Sequence, residues 1–136
     1  MKITVEALVK APVDTVWRCW TTPQDIIAWN AASDDWHTTA ATVDLREGGR
    51  FSSRMEARDG SMGFDFAGLY RRVEPPRLLQ AVMADGREIL VEFLPRDGAV
   101  LIRGTFDAED QHPPQMQRQG WQAILDRFAA HVEGVA

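Results

Sequence analysis

Residues 113–134 read PPQMQRQGWQAILDRFAAHVEG and predict one long amphipathic helix. The apolar residues of this segment are spaced three and four apart, with glutamine, arginine, aspartate and histidine between them. We expect Gly134 to cap the C-terminal end of the helix. Gly120 lies inside it and indicates close approach by another part of the chain, because glycine is otherwise unfavourable there. The apolar stripe consists of Trp121, Ile124, Leu125, Phe128 and Val132.

The middle of the chain, residues 38–106, contains short β-rich runs separated by glycine, proline and aspartate. No segment there is long enough for a crossover helix, so we predict an antiparallel meander with one apolar face and one wet face. Asp-Gly pairs, which favour hairpins, occur three times. The predicted strands cover residues 39–46, 50–58, 63–73, 77–84, 87–94 and 99–106, with turns at Glu47-Gly48-Gly49, Asp59-Gly60, Pro75-Pro76, Asp85-Gly86 and Asp97-Gly98.

The N-terminal part predicts a strand at about residues 2–11, where apolar residues recur every second position. A short helix follows from Val13 to about Trp20, and a second covers Pro23–Asn30 with Thr22 as its N-cap. The element order is therefore β-α-α-β6-α. The apolar face of a seven-stranded sheet must be shielded from water, and the only long apolar helix is the element that can cover it. We therefore predict one α+β domain over residues 1–136. A curved sheet around that helix leaves an apolar cavity at its open end.

Composition excludes several partners. The net charge of −5 argues against nucleic acid, because that affinity comes from clustered lysine and arginine. Cys19 is the single cysteine and no Cys/His tract has zinc spacing, so we predict no metal, no cofactor and a cytoplasmic location. The N-terminus lacks the features of a signal peptide, and no apolar run is long enough to span a membrane. Exposed edge strands allow dimerisation without requiring it, so we expect the oligomeric state to be either a monomer or a homodimer.

The assembled motifs resemble the START/birch-pollen-allergen (SRPBCC) superfamily. Within it, they are similar to the bacterial homologues of the C-terminal domain of the heat-shock-protein-ninety ATPase activator. Five stretches in the same order and spacing span nearly the whole chain. They are APVDTVW (11–17), DLREGGRF (44–51), DG (59–60), GLYRRVEPPRL (68–78) and GWQAILDRF (120–128).

This resemblance implies the helix-grip fold, in which the sheet grips the C-terminal helix. Many relatives have histidine three residues before the helix glycine, where this chain has Gln117. The chain also shows no N-terminal partner domain of the kind the eukaryotic co-chaperone uses. Since fold and family name do not fix function, the resemblance leaves the activity open.

Our first functional hypothesis is non-catalytic binding of a small hydrophobic or amphipathic molecule between sheet and helix. It depends on apolar residues from separate elements pointing at one interior. The alternatives are a cavity enzyme of polyketide cyclase/hydrolase type, which the superfamily implies, and a chaperone-cofactor-like protein-interaction domain. The predicted cavity lining is Trp17, Trp20, Trp29, Phe51, Phe66, Val91, Trp121, Leu125 and Phe128.

No catalytic residues are predicted, although several side chains are of the types used in acid/base or nucleophilic catalysis. Asp34, Asp35 and His37 cluster with Trp36 after the second helix and are interpreted as a solvated loop without an orienting partner. Alternation places Asp65 on the outer face; an inward position would make it the first catalytic candidate. Cys19 is predicted to be buried and unreactive. Ser52, Ser53 and Ser61 lack a nucleophile elbow, so no hydrolase triad is expected. Four arginines are interpreted as a solvated ion-pair surface and not as an anion site: Arg46, Arg50, Arg54 and Arg58.

Overall fold

The computed structural model describes residues 1–135 and confirms the α+β helix-grip architecture. Seven strands and three helices follow one another in the predicted order. Their bounds are β1 Lys2–Val9, α1 Val13–Thr21, α2 Pro23–Trp29, β2 Trp36–Val43, β3 Arg50–Ala57, β4 Gly63–Glu74, β5 Leu78–Met83, β6 Glu88–Arg96, β7 Ala99–Asp107 and α3 Pro114–Val135.

All seven strands form one antiparallel sheet in the order β1-β7-β6-β5-β4-β3-β2. The N-terminal strand closes against β7, with Ile3 opposite Phe106 and Val5 opposite Gly104. Because residues directly opposite one another share a face, the apolar alternation of each strand adds to a single inner surface. The sheet curls around α3, and α1 and α2 close the remaining side.

The edge of β1 is covered by polar side chains of α3. Arg118 donates to the carbonyl oxygen of Thr4 at 2.6 Å, and Gln122 donates to that of Glu6 at 2.8 Å. Farther along, the Glu133 carboxylate accepts a hydrogen bond from the backbone N–H of Lys10 at 2.9 Å. The helix therefore fixes its own position along the sheet edge and also occupies groups that would pair with another strand.

The dry core lies where the C-terminal half of α3 meets β1, β6 and β7. Phe93, Ile102, Phe128 and Val132 are fully inaccessible to solvent there. The Trp17 ring of α1 meets Phe93 edge-on at a centroid distance of 5.1 Å. This packing of aliphatic and aromatic side chains joins the first and last elements of the chain.

Most element boundaries differ from the sequence prediction by one to three residues, and the largest shift is in β2. The first strand ends at Val9 and not near residue 11. The second strand covers Trp36–Val43 and not residues 39–46, because Trp36 already pairs with Ala57 and the chain leaves the sheet after Val43. The loop after β2 is held in place by hydrogen bonds, among them one from the Gly48 N–H to the carbonyl oxygen of Tyr70 in β4 at 2.8 Å.

Both predictions about the glycines of the last helix are wrong. A methyl group added at Gly120 would have nothing within 4 Å, so no close neighbour requires a glycine there. Gly134 does not end the helix, which continues through Val135. Close approach occurs instead at Gly68 of β4, where an added Cβ would lie 2.7 Å from the Val82 carbonyl oxygen and 2.9 Å from the Phe51 ring.

Candidate functional site

A pocket lies between the concave face of the sheet and the three helices, and we call it the inner pocket. Its volume is about 80 Å³. Strands β2 to β6 provide the floor, whereas α1, α2 and the Trp121 side chain of α3 provide the roof. The lining consists of Trp20, Ile26, Trp29, Asn30, Thr42, Val43, Phe51, Ser53, Phe66, Tyr70, Leu79, Ala81, Ile89, Val91 and Trp121.

A second space, the outer pocket, adjoins the inner one and has a volume of about 250 Å³. Asn30, Phe66 and Trp121 line both pockets and therefore lie at the boundary between them. Together the two spaces reach the lower end of the range of small-molecule sites, roughly 300–1,000 Å³. The other residues of the outer pocket are Ala32, Trp36, Met55, Phe64 and Ile124.

Besides the exposed Thr42, three polar side chains interrupt the apolar wall of the inner pocket: Asn30, Ser53 and Tyr70. Tyr70 is 7% exposed and Ser53 is 5% exposed, and neither hydroxyl hydrogen-bonds to another residue within 1–135. No fully buried polar side-chain atom in that range lacks a partner, so both oxygens have access to the pocket. The side-chain amide of Asn30 is likewise available, because its backbone alone is bonded, to Ile26 and Thr38.

Burial raises the pKa of Tyr70 to about 12. Its phenol is therefore neutral throughout the physiological range and presents both a donor and an acceptor to the pocket. Ser53 and Asn30 add a second hydroxyl and an amide with both functions. The wall can thus recognise a ligand carrying one or two neutral polar groups on an apolar body.

The roof of the inner pocket is built from stacked aromatic rings. Trp20 and Trp29 stack at a centroid distance of 4.7 Å, and Phe128 meets both edge-on at 5.0 and 4.9 Å. On the other side, Trp121 contacts Phe66 at 5.6 Å and Phe106 at 4.7 Å. Such contacts hold flat rings in defined orientations, which gives the pocket rigid walls.

The structure brings six of the nine predicted lining residues to the inner pocket. Trp17, Leu125 and Phe128 do not line it, because they are buried in the dry core on the other side of the aromatic roof. Helical spacing identified the side of α3 that faces the interior. It did not show how far along the helix the pocket extends. The six residues that do line it are Trp20, Trp29, Phe51, Phe66, Val91 and Trp121.

Sequence reasoning missed the polar wall residues Asn30, Ser53 and Tyr70. A signal existed for Ser53, since it stands between Phe51 and Met55 in the period-two pattern and therefore shares their inward face. The register confirms this placement, with Ser53 opposite Phe66. A serine on an inward face among apolar residues therefore indicates a polar group that faces the interior.

The acidic residues and histidine considered for catalysis do not assemble at the pocket. The side chain of Asp34 is 95% exposed and pairs with Arg127 at 2.6 Å, and this guanidinium lowers the pKa of the carboxyl. His37 lies on β2 opposite Glu56, on the outer face of the sheet. Asp65 also points outward, as predicted, and pairs with Arg54 at 3.6 Å.

Gln117 has a structural role in the loop before α3. Its side-chain nitrogen donates to the carbonyl oxygens of Glu109 at 3.0 Å and His112 at 2.8 Å. Its side-chain oxygen accepts from the Glu109 N–H at 3.0 Å. At the position where many relatives have histidine, this chain therefore holds residues 109–112 against the first turns of the helix.

The arginine prediction holds in part. Arg54 pairs with Glu56 at 3.1 Å on the outer face, so it belongs to a solvated ion-pair surface. Arg46 lies in the loop after β2 and pairs with Asp44 at 2.9 Å, whereas Arg58 donates to the Asp34 carbonyl oxygen at 2.9 Å.

The sheet order, the gripped helix and the pocket between them define a helix-grip protein. The sequence model of the family described as "Activator of Hsp90 ATPase homolog 1-like protein" matches residues 10–133, and the chain belongs to this family. No curated protein matches the chain. Within residues 1–135, no helix is long and apolar enough to cross a membrane.

Solved structures from bacteria are similar over nearly the whole chain. The AHSA1-like protein from Aeromonas hydrophila is 50% identical with a TM-score of 0.92, covering 99% of this chain and 94% of that one. A protein from Cytophaga hutchinsonii is 41% identical with a TM-score of 0.85, covering 98% and 93%. A protein from Chromobacterium violaceum, at 20% identity and a TM-score of 0.88 over 98% of each chain, shares the fold.

Proposed function

We propose that this chain binds a small, mainly apolar molecule between the sheet and α3 without transforming it. The ligand's apolar body occupies the outer pocket and passes Asn30, Phe66 and Trp121, and one neutral polar group enters the inner pocket. The observation that carries the proposal is the pair of hydroxyls on the buried residues Tyr70 and Ser53, whose oxygens have access to the pocket and no partner within residues 1–135. A polar group of a ligand can bond to these two accessible hydroxyls, which then keep a hydrogen-bond partner when the ligand displaces water from the pocket.

The absence of an acid/base pair at the pocket among the described residues favours binding over catalysis. Tyr70 is a neutral phenol, and Asp34, His37 and Asp65 lie outside. A general base must stand within hydrogen-bond reach of the proton that it abstracts. The cyclase/hydrolase alternative therefore receives no support from the positions of these residues.

The test is a ligand-observed NMR screen of the full chain with fatty acids, lysophospholipids and planar aromatic metabolites. A matched pair of variants locates any binding: Ser53→Leu fills the inner pocket, whereas Ser52→Leu places the same side chain one residue away on the opposite face. We expect Ser53→Leu to weaken binding about tenfold or more, with Ser52→Leu close to wild type. Two-dimensional NMR spectra establish that both variants remain folded.

A third variant examines the polar part of the proposal. Tyr70→Phe keeps the ring and removes the hydroxyl, so it should weaken ligands with a polar end and leave hydrocarbon analogues unaffected. Absence of binding across the whole screen, or equal binding by the Ser53→Leu and Ser52→Leu variants, would reject this site.

A protein-interaction role is the second candidate, and exposed apolar residues on the β3–β4 hairpin favour it. Met62 is 65% exposed and Phe64 is 47% exposed, and Phe64 meets Trp36 at the rim of the outer pocket. The family description names activation of the Hsp90 ATPase. A bacterial Hsp90 ATPase assay with the Met62→Ser and Phe64→Ser variants tests this role, with Met116→Ser as an exposed apolar control. Unchanged ATPase rates with the wild-type chain would remove this candidate.

A further inference from the structure

Three side chains from three different helices meet behind the aromatic roof. They are Cys19 of α1, Asp25 of α2 and His131 of α3, whose sulfur, carboxylate oxygen and ring nitrogen all lie within 4.8 Å of one another. His131 Nε2 is 2.9 Å from Asp25 Oδ1. Cys19 is inaccessible to solvent, whereas the side chains of Asp25 and His131 are 23% and 19% exposed. The cluster therefore has a buried sulfur and one side open to water.

We propose that Cys19, Asp25 and His131 bind one divalent transition-metal ion of the zinc type. Thiolate, imidazole and carboxylate are the three side-chain ligands that zinc takes in proteins, at about 2.0–2.3 Å from the metal. In a tetrahedral centre of that size the ligand atoms lie about 3.3–3.8 Å apart. Atoms already within 4.8 Å of one another reach this spacing by small side-chain rotations.

The charges of the three groups also suit a divalent cation. A thiolate and a carboxylate carry two negative charges and a neutral imidazole carries none, so the loaded site is neutral overall. Neutrality matters here because an uncompensated charge is costly in a partly buried position. The side open to solvent leaves a fourth coordination position for water.

Metal binding at this place is an exchange of protons for a cation. Cys19 is a free cysteine, and a metal ion binds its thiolate and not its thiol. On binding, the S–H bond breaks, the proton passes to solvent and the sulfur–metal bond forms. No electron is transferred, and no further reactant is required.

The position of the cluster indicates a bracing role for the metal. The Cys19 carbonyl oxygen accepts a hydrogen bond from Trp29 Nε1 at 2.9 Å, and Trp29 is a roof residue of the inner pocket. One ion bound to three helices would hold α1, α2 and α3 in a fixed relation behind that roof. Such an ion binds the folded chain and raises the melting temperature with increasing metal concentration.

Cobalt(II) is the probe, because it replaces zinc and reports its ligands by absorption. The full chain, prepared without a polyhistidine tag, is titrated with cobalt and then back-titrated with zinc. We expect one equivalent, a sulfur-to-cobalt charge-transfer band, visible d–d bands of a four-coordinate centre, and loss of all of them on zinc addition. Cys19→Ser should abolish the charge-transfer band, and His131→Gln and Asp25→Asn should weaken binding about 100-fold or more.

The matched control is His112→Gln. His112 forms a comparable pair with Glu109 at 3.0 Å but is largely exposed, and Cys19 is the only cysteine of the chain. This variant should bind cobalt as the wild type does. If the wild-type chain gives no charge-transfer band or less than one equivalent, or if the band survives in Cys19→Ser, the site does not exist. Should Cys19→Ser fail to fold, the His131→Gln result decides the question, because that side chain is partly exposed.

Discussion

The two halves of α3 pack against the same sheet with opposite results. In the C-terminal half, Leu125, Phe128 and Val132 are 2% exposed or less and complete a dry core, which we call the closed end. In the N-terminal half, Trp121 and Ile124 are only partly buried and border the inner and outer pockets, the open end. One amphipathic stripe therefore serves for packing at one end and for enclosing space at the other.

The two halves of α3 differ because different side chains lie opposite each of them. At the closed end, α1 and α2 bring Trp17, Trp20 and Trp29 against Phe93 and Phe128, and these rings fill the space. At the open end the side chains of the helices roof strands β3 and β4 without filling the space above them. The indole of Trp121 meets Phe66 there but cannot fill the remaining volume.

Phe128→Ala should give the largest effect because it empties the closed end. Removing a fully buried phenylalanine costs about 3–5 kcal/mol through lost burial and the cavity left behind. Urea unfolding followed by far-UV circular dichroism measures the change in the free energy of unfolding. A loss below about 1 kcal/mol would mean that this end is not tightly packed.

Tyr70, at the open end, should make the free energy of unfolding fall at alkaline pH. Its pKa is about 12 in the folded chain and 10.0 in the reference state, so the folded state retains the proton where the unfolded state loses it. This stabilisation is complete below pH 10 and lost as pH rises towards 12, by about 2–3 kcal/mol for a shift of two units.

The measurement is direct because Tyr70 is the only tyrosine. Tyrosinate absorbance should rise near pH 12, or together with unfolding, and the alkaline loss should be smaller in Tyr70→Phe. A midpoint near pH 10 in the folded chain would show that the phenol is solvated.

Gly68→Ala should distort the floor of the open end. The new methyl group would lie under 3.0 Å from the Val82 carbonyl oxygen and the Phe51 ring, so we expect a loss of about 2 kcal/mol, typical of overpacking. Gly104→Ala is the matched control on β7, since its methyl group would meet only Val5 at an ordinary 3.7 Å. Thermal unfolding compares the two; equal effects would refute the steric explanation.

Trp121→Ala should have the smallest effect on stability, about 1 kcal/mol, because this side chain already borders open space. It should nevertheless alter ligand binding more than Phe128→Ala does, since Trp121 lines both pockets and Phe128 lines neither. Urea unfolding and the ligand screen, applied to both variants, separate packing from pocket formation. A stability loss equal to that of Phe128→Ala would remove the distinction between the two ends.

Much of the fold follows from local patterns in the chain. Period-two alternation with Asp-Gly turns located the strands β3 to β7 within a few residues. The start of β2 was missed because His37 and Trp36 resembled a polar loop, and only pairing with β3 draws them into the sheet. The glycine prediction failed for a similar reason, since Gly68 in a strand has close neighbours and Gly120 in the helix has none.

The candidate sites were less accessible to sequence reasoning. Six lining residues of the inner pocket were predicted, because apolar periodicity identifies inward faces. The three core residues Trp17, Leu125 and Phe128 were assigned to the pocket as well, since periodicity does not say where packing stops.

The sequence by itself determined the element order, the antiparallel meander and the apolar face of each element, because these depend on neighbours along the chain. Only the tertiary structure decided where space remains, and which polar groups, Tyr70, Ser53 and Asn30, have access to it. It alone also brought Cys19 and Asp25 to His131, which is 106 residues from Asp25. The physical reason is that packing and side-chain convergence depend on distances in space, which local periodicity does not encode.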